Sequence, residues 1–101
     1  MHFGTNLSFL RKRKHISQAD LATEIGVKRS SLSGYELGNS EPNFETLLNF
    51  SAFFKITIDK LLKVDLQKIS ALYLSQLEQG IDIDITGGKL RVLATTVNAQ
   101  N

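Results

Sequence analysis

Two short segments, each ended by a glycine, constrain the fold of this chain more than any other feature of its sequence. Ser17 and Asp20 have the spacing of a helix N-cap and its partner in the first turn, so a helix is predicted to begin there. Gly26 ends it, because glycine readily adopts the left-handed conformation that closes a helix. A further helix is predicted from Lys28 to the next glycine, Gly38. Two helices this short, joined by so tight a turn, indicate a small helical unit.

A helix is also predicted before this pair. Leu7 and Leu10 have helical spacing, Thr5 or Asn6 can cap the helix, and a basic run closes it by His15. The chain therefore begins with a helix that can pack on the following two.

Two more helices are predicted after the only proline, Pro42. Asn43 caps a helix over residues 44–54, and Thr57 caps a last short helix. The inner stripe of the helix over 44–54 is expected to contain Leu47, Leu48, Ser51 and Phe54.

Charge is distributed unevenly along the chain. The 101 residues include 12 Lys and Arg against 10 Asp and Glu, a net charge of +2. Residues 1–38 hold 6 basic and 3 acidic groups (+3), residues 39–63 hold 3 and 3, and residues 64–101 hold 3 and 4 (−1). The basic runs at 11–14 and 28–29 favour a polyanionic partner, although cations are also common where a helix ends.

Several classes of function are excluded by composition. Without cysteine the chain has no disulfide, no zinc–thiolate site and no cysteine nucleophile. His2 and His15 are the only imidazoles, both at solvated positions, so we expect no enzyme, no metal and no cofactor. No apolar run approaches the roughly 20 residues that span a bilayer, and no signal-peptide pattern is present. We expect a cytoplasmic protein that does not bind a membrane.

Three strings occur in order from residue 17: S-Q-A-D-L-A-x-x-I-G-V, S-x-L-S-x-Y-E-x-G and P-x-x-x-T-L-L. Together they resemble the helix-turn-helix domain of Cro and cI-type phage repressors, the xenobiotic response element family of regulators. The resemblance covers residues 6–63 and implies a mainly α, five-helix lambda-repressor-like domain. It also implies a transcriptional repressor that binds double-stranded DNA at a palindromic operator as a homodimer.

The resemblance implies a role for each element of this domain. The outer face of the third helix would enter the major groove, where the candidate base contacts are Arg29, Ser30, Ser33 and Gly34. Arg29 is the first choice, because a guanidinium can bind both O6 and N7 of guanine. The candidate phosphate contacts are Gln18, Lys28, Asn39, Ser40 and Asn43. Solvent exposure of the serines and helix capping by Asn43 remain alternative explanations.

Members of this family pair a first-helix arginine with a third-helix glutamate, which predicts a structural ion pair between Arg11 and Glu36. The alternative is an exposed pair worth about 0–1 kcal/mol. Two residues depart from the family pattern. Lys28 replaces the usual Ser or Thr cap, and Gly34 replaces a long polar side chain. We therefore expect few base contacts, with the bare helix approaching the groove closely or with recognition through DNA shape.

Residues 64–101 are predicted to be a dimerisation or linker segment with a helix over 65–79 and a β-hairpin over 81–97. The helix can pack on the first domain or on a second chain, and an isolated hairpin also needs a partner surface. The candidate dimerisation residues are Leu66, Ile69, Tyr73, Ile81, Ile83 and Ile85.

Two further possibilities concern this segment. It can bind an unrelated protein, as in an antitoxin that neutralises a toxin. Residues 90–97 also resemble the stretch ahead of the LexA-type autoprotease domain in two-domain phage-like repressors, which implies that the chain is part of a longer protein.

Overall fold

The computed structural model describes residues 1–69, 71–80, 82–84 and 91–93. Within these ranges the chain is mainly helical. The elements are α1 (Phe3–Arg13), α2 (Gln18–Ile25), α3 (Arg29–Leu37), α4 (Phe44–Phe54), α5 (Ile58–Lys63), a 3-10 turn (Leu66–Lys68), α6 (Ala71–Glu78), β1 (Asp82–Asp84) and β2 (Arg91–Leu93). The first compact unit is Met1–Lys68, and a second begins at Ile69. No helix in the described ranges is long and apolar enough to cross a membrane.

The ends of α2 and α3 confirm the capping pattern. The Ser17 hydroxyl accepts a hydrogen bond from the Asp20 N–H at 3.0 Å, and α2 ends at Gly26 with φ +89°. The α3 helix follows Lys28, whose side chain makes no cap bond, and ends at Gly38 with φ +80°. Because both glycines adopt the left-handed backbone conformation, each helix ends abruptly and the chain changes direction there.

The first helix begins earlier than predicted. It starts at Phe3 with His2 as the N-cap, so Thr5 and Asn6 lie inside α1 and not at its cap. The Thr5 hydroxyl instead donates to the His2 carbonyl at 3.1 Å. Capping by either residue is therefore wrong, because the helix already has a full turn of backbone before Asn6.

Asn6 is fully buried, and it connects α1 to the backbone that follows α5. Its Nδ2 donates to the carbonyl oxygens of Leu61 at 2.8 Å and Val64 at 2.7 Å, and its Oδ1 accepts from the Leu66 N–H at 3.0 Å. The two carbonyl groups lie at the end of α5 and the N–H lies at the start of the 3-10 turn, where backbone groups lack intrahelical partners.

Aliphatic and aromatic side chains from helices α1 to α5 and from the turns that connect them fill the core of the first unit. Its buried apolar residues are Phe3, Leu7, Leu10, Leu21, Ala22, Ile25, Leu32, Phe50, Phe54, Ile56, Leu61 and Leu66. The predicted stripe on α4 is wrong at Leu48, which is 59% exposed, because Phe50 takes the inner position. The Phe50 ring packs edge-on against Phe3 and Tyr35, with centroids 5.8 and 6.2 Å apart.

The predicted single helix over 65–79 is also wrong. Residues Leu66–Lys68 form a 3-10 turn, and α6 begins at Ala71. The physical reason is that Asn6 binds the Leu66 N–H while the Leu66 side chain is fully buried. Leu66 and Tyr73, two of the candidate dimerisation residues, therefore do not lie on one continuous helix.

In the second unit the structure describes the helix α6 and the two short strands β1 and β2. α6 buries Tyr73, Leu74 and Leu77, whereas Leu72 is 69% exposed. Strands β1 and β2 pair antiparallel with Ile83 opposite Val92.

The turn of the predicted hairpin lies outside the described residues, as do Ile81 and Ile85. The complete hairpin therefore stays a prediction. What the resemblance of residues 90–97 to a segment ahead of a protease domain implies, that the chain is part of a longer protein, also stays a prediction.

Candidate nucleic-acid interface

The third helix turns one face into the first unit and presents the other to solvent. Leu32 is fully buried, whereas Arg29 and Ser30 are exposed and Ser33 and Gly34 are partly exposed. Positions three and four residues apart share a face of a helix, so Ser30, Ser33 and Gly34 lie together on the side away from Leu32. The candidate base contacts thus occupy one surface, with Arg29 in the first turn.

The candidate phosphate contacts lie at helix ends and in the loop after α3. They are Gln18 at the first residue of α2, Lys28 before α3, Asn39 and Ser40 after α3, and Asn43 before α4. Gln18 is partly exposed and the other four are exposed. Asn43 also caps α4, since its Oδ1 accepts from the Thr46 N–H at 2.8 Å.

Arg11 and Glu36 form the ion pair that we predict. The Arg11 Nε lies 2.6 Å from Glu36 Oε2, and Nη2 lies 3.1 Å from Oε1. Only 13% of the arginine side chain and 6% of the glutamate side chain are exposed. The Arg11 Nη1 also donates to the Ile16 carbonyl at 3.0 Å. Two parallel bonds fix the guanidinium and the carboxylate in one plane, so the pair sets the position of α3 against α1.

Glu36 has a second partner residue, which the sequence spacing does not indicate. The Gln18 Nε2 donates to Glu36 Oε1 at 3.0 Å. The side chain of a candidate phosphate contact is therefore oriented by the same carboxylate that binds Arg11. An amide nitrogen carries two hydrogens, so Gln18 keeps a second one for another acceptor.

Gly4 allows α1 and α3 to approach closely. A β-carbon on Gly4 would lie 2.7 Å from the Tyr35 carbonyl oxygen and 2.9 Å from that of Glu36. Both contacts are with backbone, which cannot rotate away. No pattern in the sequence singles out this glycine, because its role depends on residues more than thirty positions away.

Gly34 also has a close neighbour, which is Ser40 in the loop after α3. A β-carbon on Gly34 would lie 2.6 Å from the Ser40 Oγ. The Gly34 carbonyl accepts hydrogen bonds from the N–H groups of Asn39 at 2.9 Å and Ser40 at 3.4 Å. The Ser40 hydroxyl therefore occupies space beside Gly34. Close approach of this helix to the groove and recognition through DNA shape both stay predictions.

Two short helices around a glycine turn, with the outer face of the second helix exposed, define a helix-turn-helix protein. A family model described as Helix-turn-helix matches residues 7–61. The chain belongs to this family, in its Cro/cI-type branch.

Three relatives illustrate the range of the family. The chain is 39% identical over 61 residues to the HTH-type transcriptional regulator YqaE of Bacillus subtilis. The aligned segment covers 60% of this chain and 53% of YqaE. It is 36% identical over 75 residues to Repressor protein C2 of Salmonella phage P22, 74% of this chain and 35% of C2. It is 32% identical over 103 aligned positions to Antitoxin PezA of Streptococcus pneumoniae, 80% of this chain and 65% of PezA.

A crystal structure of the P22 c2 repressor in complex with a synthetic operator is similar in fold, with a TM-score of 0.61 and 35% identity. The similarity covers 64% of this chain and 98% of that one. The chain spans about half of YqaE and about a third of C2.

Proposed function

We propose that this protein is a sequence-specific DNA-binding transcriptional repressor that binds a palindromic operator as a homodimer. The observation that carries the proposal is the exposed outer face of α3. The partly buried Arg11–Glu36 pair holds the α3 helix against α1. A rigid helix with exposed polar side chains suits the major groove, which admits an α-helix. The similarity to a repressor solved in complex with an operator supports the same conclusion.

Within this proposal Arg29 is the principal base contact. It is the first residue of α3, and the N-terminal residues of a recognition helix contact base edges. Its guanidinium can donate to O6 and N7 of guanine together. Ser30 and Ser33 supply shorter polar groups on the same face, and Gly34 offers no side chain.

The phosphate contacts position the domain on the duplex. Gln18 lies in the first turn of α2, where backbone N–H groups are also available to an anion, and Glu36 orients its amide. Lys28 and Asn39 flank α3 and are exposed. Asn43 uses its Oδ1 for capping, which leaves its Nδ2 as the donor to phosphate.

We assign DNA binding to residues 6–63 and self-association to residues 64–101, in a protein that acts in the cytoplasm. Among the candidate dimerisation residues, Leu66 is fully buried and Tyr73 is 7% exposed, so neither is an available surface contact. Ile69 and the isoleucines at and beside β1 remain the candidates.

A selection of bound duplexes from a random DNA pool tests the proposal. We expect an enriched inverted repeat whose half-site centres are about 10 base pairs, roughly 34–36 Å, apart. A pool that remains unenriched while binding falls uniformly with salt would show non-specific association only.

The second candidate function is an antitoxin that also binds a protein partner. The similarity to PezA favours it, because it covers 80% of this chain and so extends past the helix-turn-helix. Co-purification of a stoichiometric, unrelated protein that is lost on deletion of residues 69–101 would support this function. Self-association without such a partner would favour the simple repressor.

A further inference from the structure

We propose that the Ser40 hydroxyl contacts a base edge from the place that a side chain at position 34 would otherwise fill. This inference rests on the proposed function and adds a specificity-determining residue from the loop after α3. The sequence analysis places Ser40 among the candidate phosphate contacts, whereas this proposal makes it a base contact.

The position of the hydroxyl carries the argument. The Ser40 Oγ lies 2.6 Å from the site of a β-carbon on Gly34, close to the separation of two atoms joined through one shared neighbour. It therefore occupies volume that the outer atoms of a side chain at 34 would take. Gly34 lies one turn after Ser30 on the exposed face of α3. The hydroxyl is consequently displayed among the candidate base contacts.

The loop holds this hydroxyl in place and leaves its bonding capacity unused. The N–H groups of Asn39 and Ser40 both donate to the Gly34 carbonyl, at 2.9 and 3.4 Å. Ser40 is exposed, and within the described part of the chain no group forms a hydrogen bond with its Oγ. A serine hydroxyl both donates and accepts, so it can pair with either kind of group on a base edge.

Glycine at position 34 is required for this arrangement. The built β-carbon is 3.8 Å from the Ser40 Cβ, an ordinary contact, so only the hydroxyl conflicts with it. Alanine at 34 would force the Ser40 side chain to rotate while leaving the loop backbone in place. The substitution Gly34→Ala therefore removes the Ser40 contact without touching Ser40.

The experiment compares full-length wild type, Ser40→Ala, Gly34→Ala and the double variant on the selected operator, on each single base-pair variant of one half-site, and on random DNA. We expect Ser40→Ala to lose about 3- to 10-fold of discrimination at one base-pair position, the size of one hydrogen bond. Affinity for random DNA and the salt dependence should not change. Gly34→Ala should lose discrimination at the same position, and the double variant should resemble Ser40→Ala.

Ser8→Ala, on α1, is the matched control and should leave every affinity unchanged. Thermal unfolding of each variant verifies that it folds. An equal loss on all sequences with a shallower salt dependence would make Ser40 a phosphate contact and overturn the proposal. Additive losses from the two substitutions, or no loss from Ser40→Ala, would also overturn it. If wild type shows no sequence preference, the proposed function itself fails, which is a different result from a specific protein indifferent to Ser40.

Discussion

Arg11 and Glu36 join the first helix to the third through hydrogen bonds of 2.6 and 3.1 Å, in a position where 13% and 6% of their side chains are exposed. Glu36 also accepts from Gln18 in the second helix. One carboxylate thus binds side chains from α1 and α2 while belonging to α3. This contact therefore connects α3, which carries the candidate base contacts, to both preceding helices.

Removing the arginine should destabilise the fold strongly. Arg11→Met keeps much of the side-chain volume but leaves the Glu36 carboxylate buried without its cation. The free energy of unfolding should fall by about 3–5 kcal/mol, measured by urea denaturation. Lys63→Met is the matched control, because the Lys63–Asp59 pair is exposed and should contribute at most about 1 kcal/mol. Equal effects of the two substitutions would mean that burial of the Arg11 pair does not matter.

Asn6→Ala should also destabilise the first unit. The substitution leaves the carbonyl groups of Leu61 and Val64 and the N–H of Leu66 without their partner. We expect a loss of about 2–4 kcal/mol in the free energy of unfolding. Asn49→Ala removes only a long 3.5 Å bond to the Ile25 carbonyl, and it should cost less than about 1 kcal/mol. A loss for Asn6→Ala as small as that for Asn49→Ala would contradict the assigned role.

Two glycine-to-alanine substitutions in helices should have opposite effects on stability. Gly4→Ala places a methyl group against backbone oxygens of α3, so it should cost about 1–3 kcal/mol. Gly34→Ala meets only a side-chain hydroxyl that can rotate, and alanine favours a helix by about 0.5–1 kcal/mol over glycine. Chemical denaturation of both variants checks the difference. If Gly4→Ala were as stable as Gly34→Ala, the close approach of α1 and α3 would be wrong.

Truncation should separate folding from self-association. A chain ending at Lys68 keeps Val64 and Leu66 as partners of Asn6 and should unfold cooperatively. A chain ending at Lys63 loses these bonds and should be markedly less stable. By sedimentation we expect the full chain to be a dimer and the chain ending at Lys68 to be a monomer. A dimer of the chain ending at Lys68 would place self-association in the first unit.

The parts of the fold that follow from the sequence are those controlled by neighbouring residues. Ser17, Asn43 and Thr57 each accept a bond from an N–H three residues later, so their spacing alone predicts where helices begin. Gly26 and Gly38 end helices for an equally local reason.

The parts that do not follow depend on residues distant in the chain. Asparagine is a common helix-capping residue, but tertiary contacts with residues 61–66 give Asn6 another role. Those contacts also hold residues 66–68 in a 3-10 turn and delay the start of α6.

The candidate interface shows the same division. Helical periodicity correctly places Ser30 and Ser33 on an exposed face opposite Leu32, and the family pattern correctly pairs Arg11 with Glu36. The contact between Gln18 and Glu36 and the position of Ser40 beside Gly34 have no sequence signature. Both depend on how separate elements meet in three dimensions.

The most direct test of DNA recognition by α3 is the ratio of affinity for the selected operator to affinity for random DNA, compared between wild type and Arg29→Lys. Lysine keeps the positive charge but lacks the planar fork that binds guanine through two bonds. We expect binding to random DNA and its salt dependence to be unchanged, while the ratio falls by about 10-fold or more, corresponding to the 1–3 kcal/mol of a bidentate contact. An unchanged ratio would contradict the assignment of Arg29, and with it the central claim that this face of α3 recognises the operator.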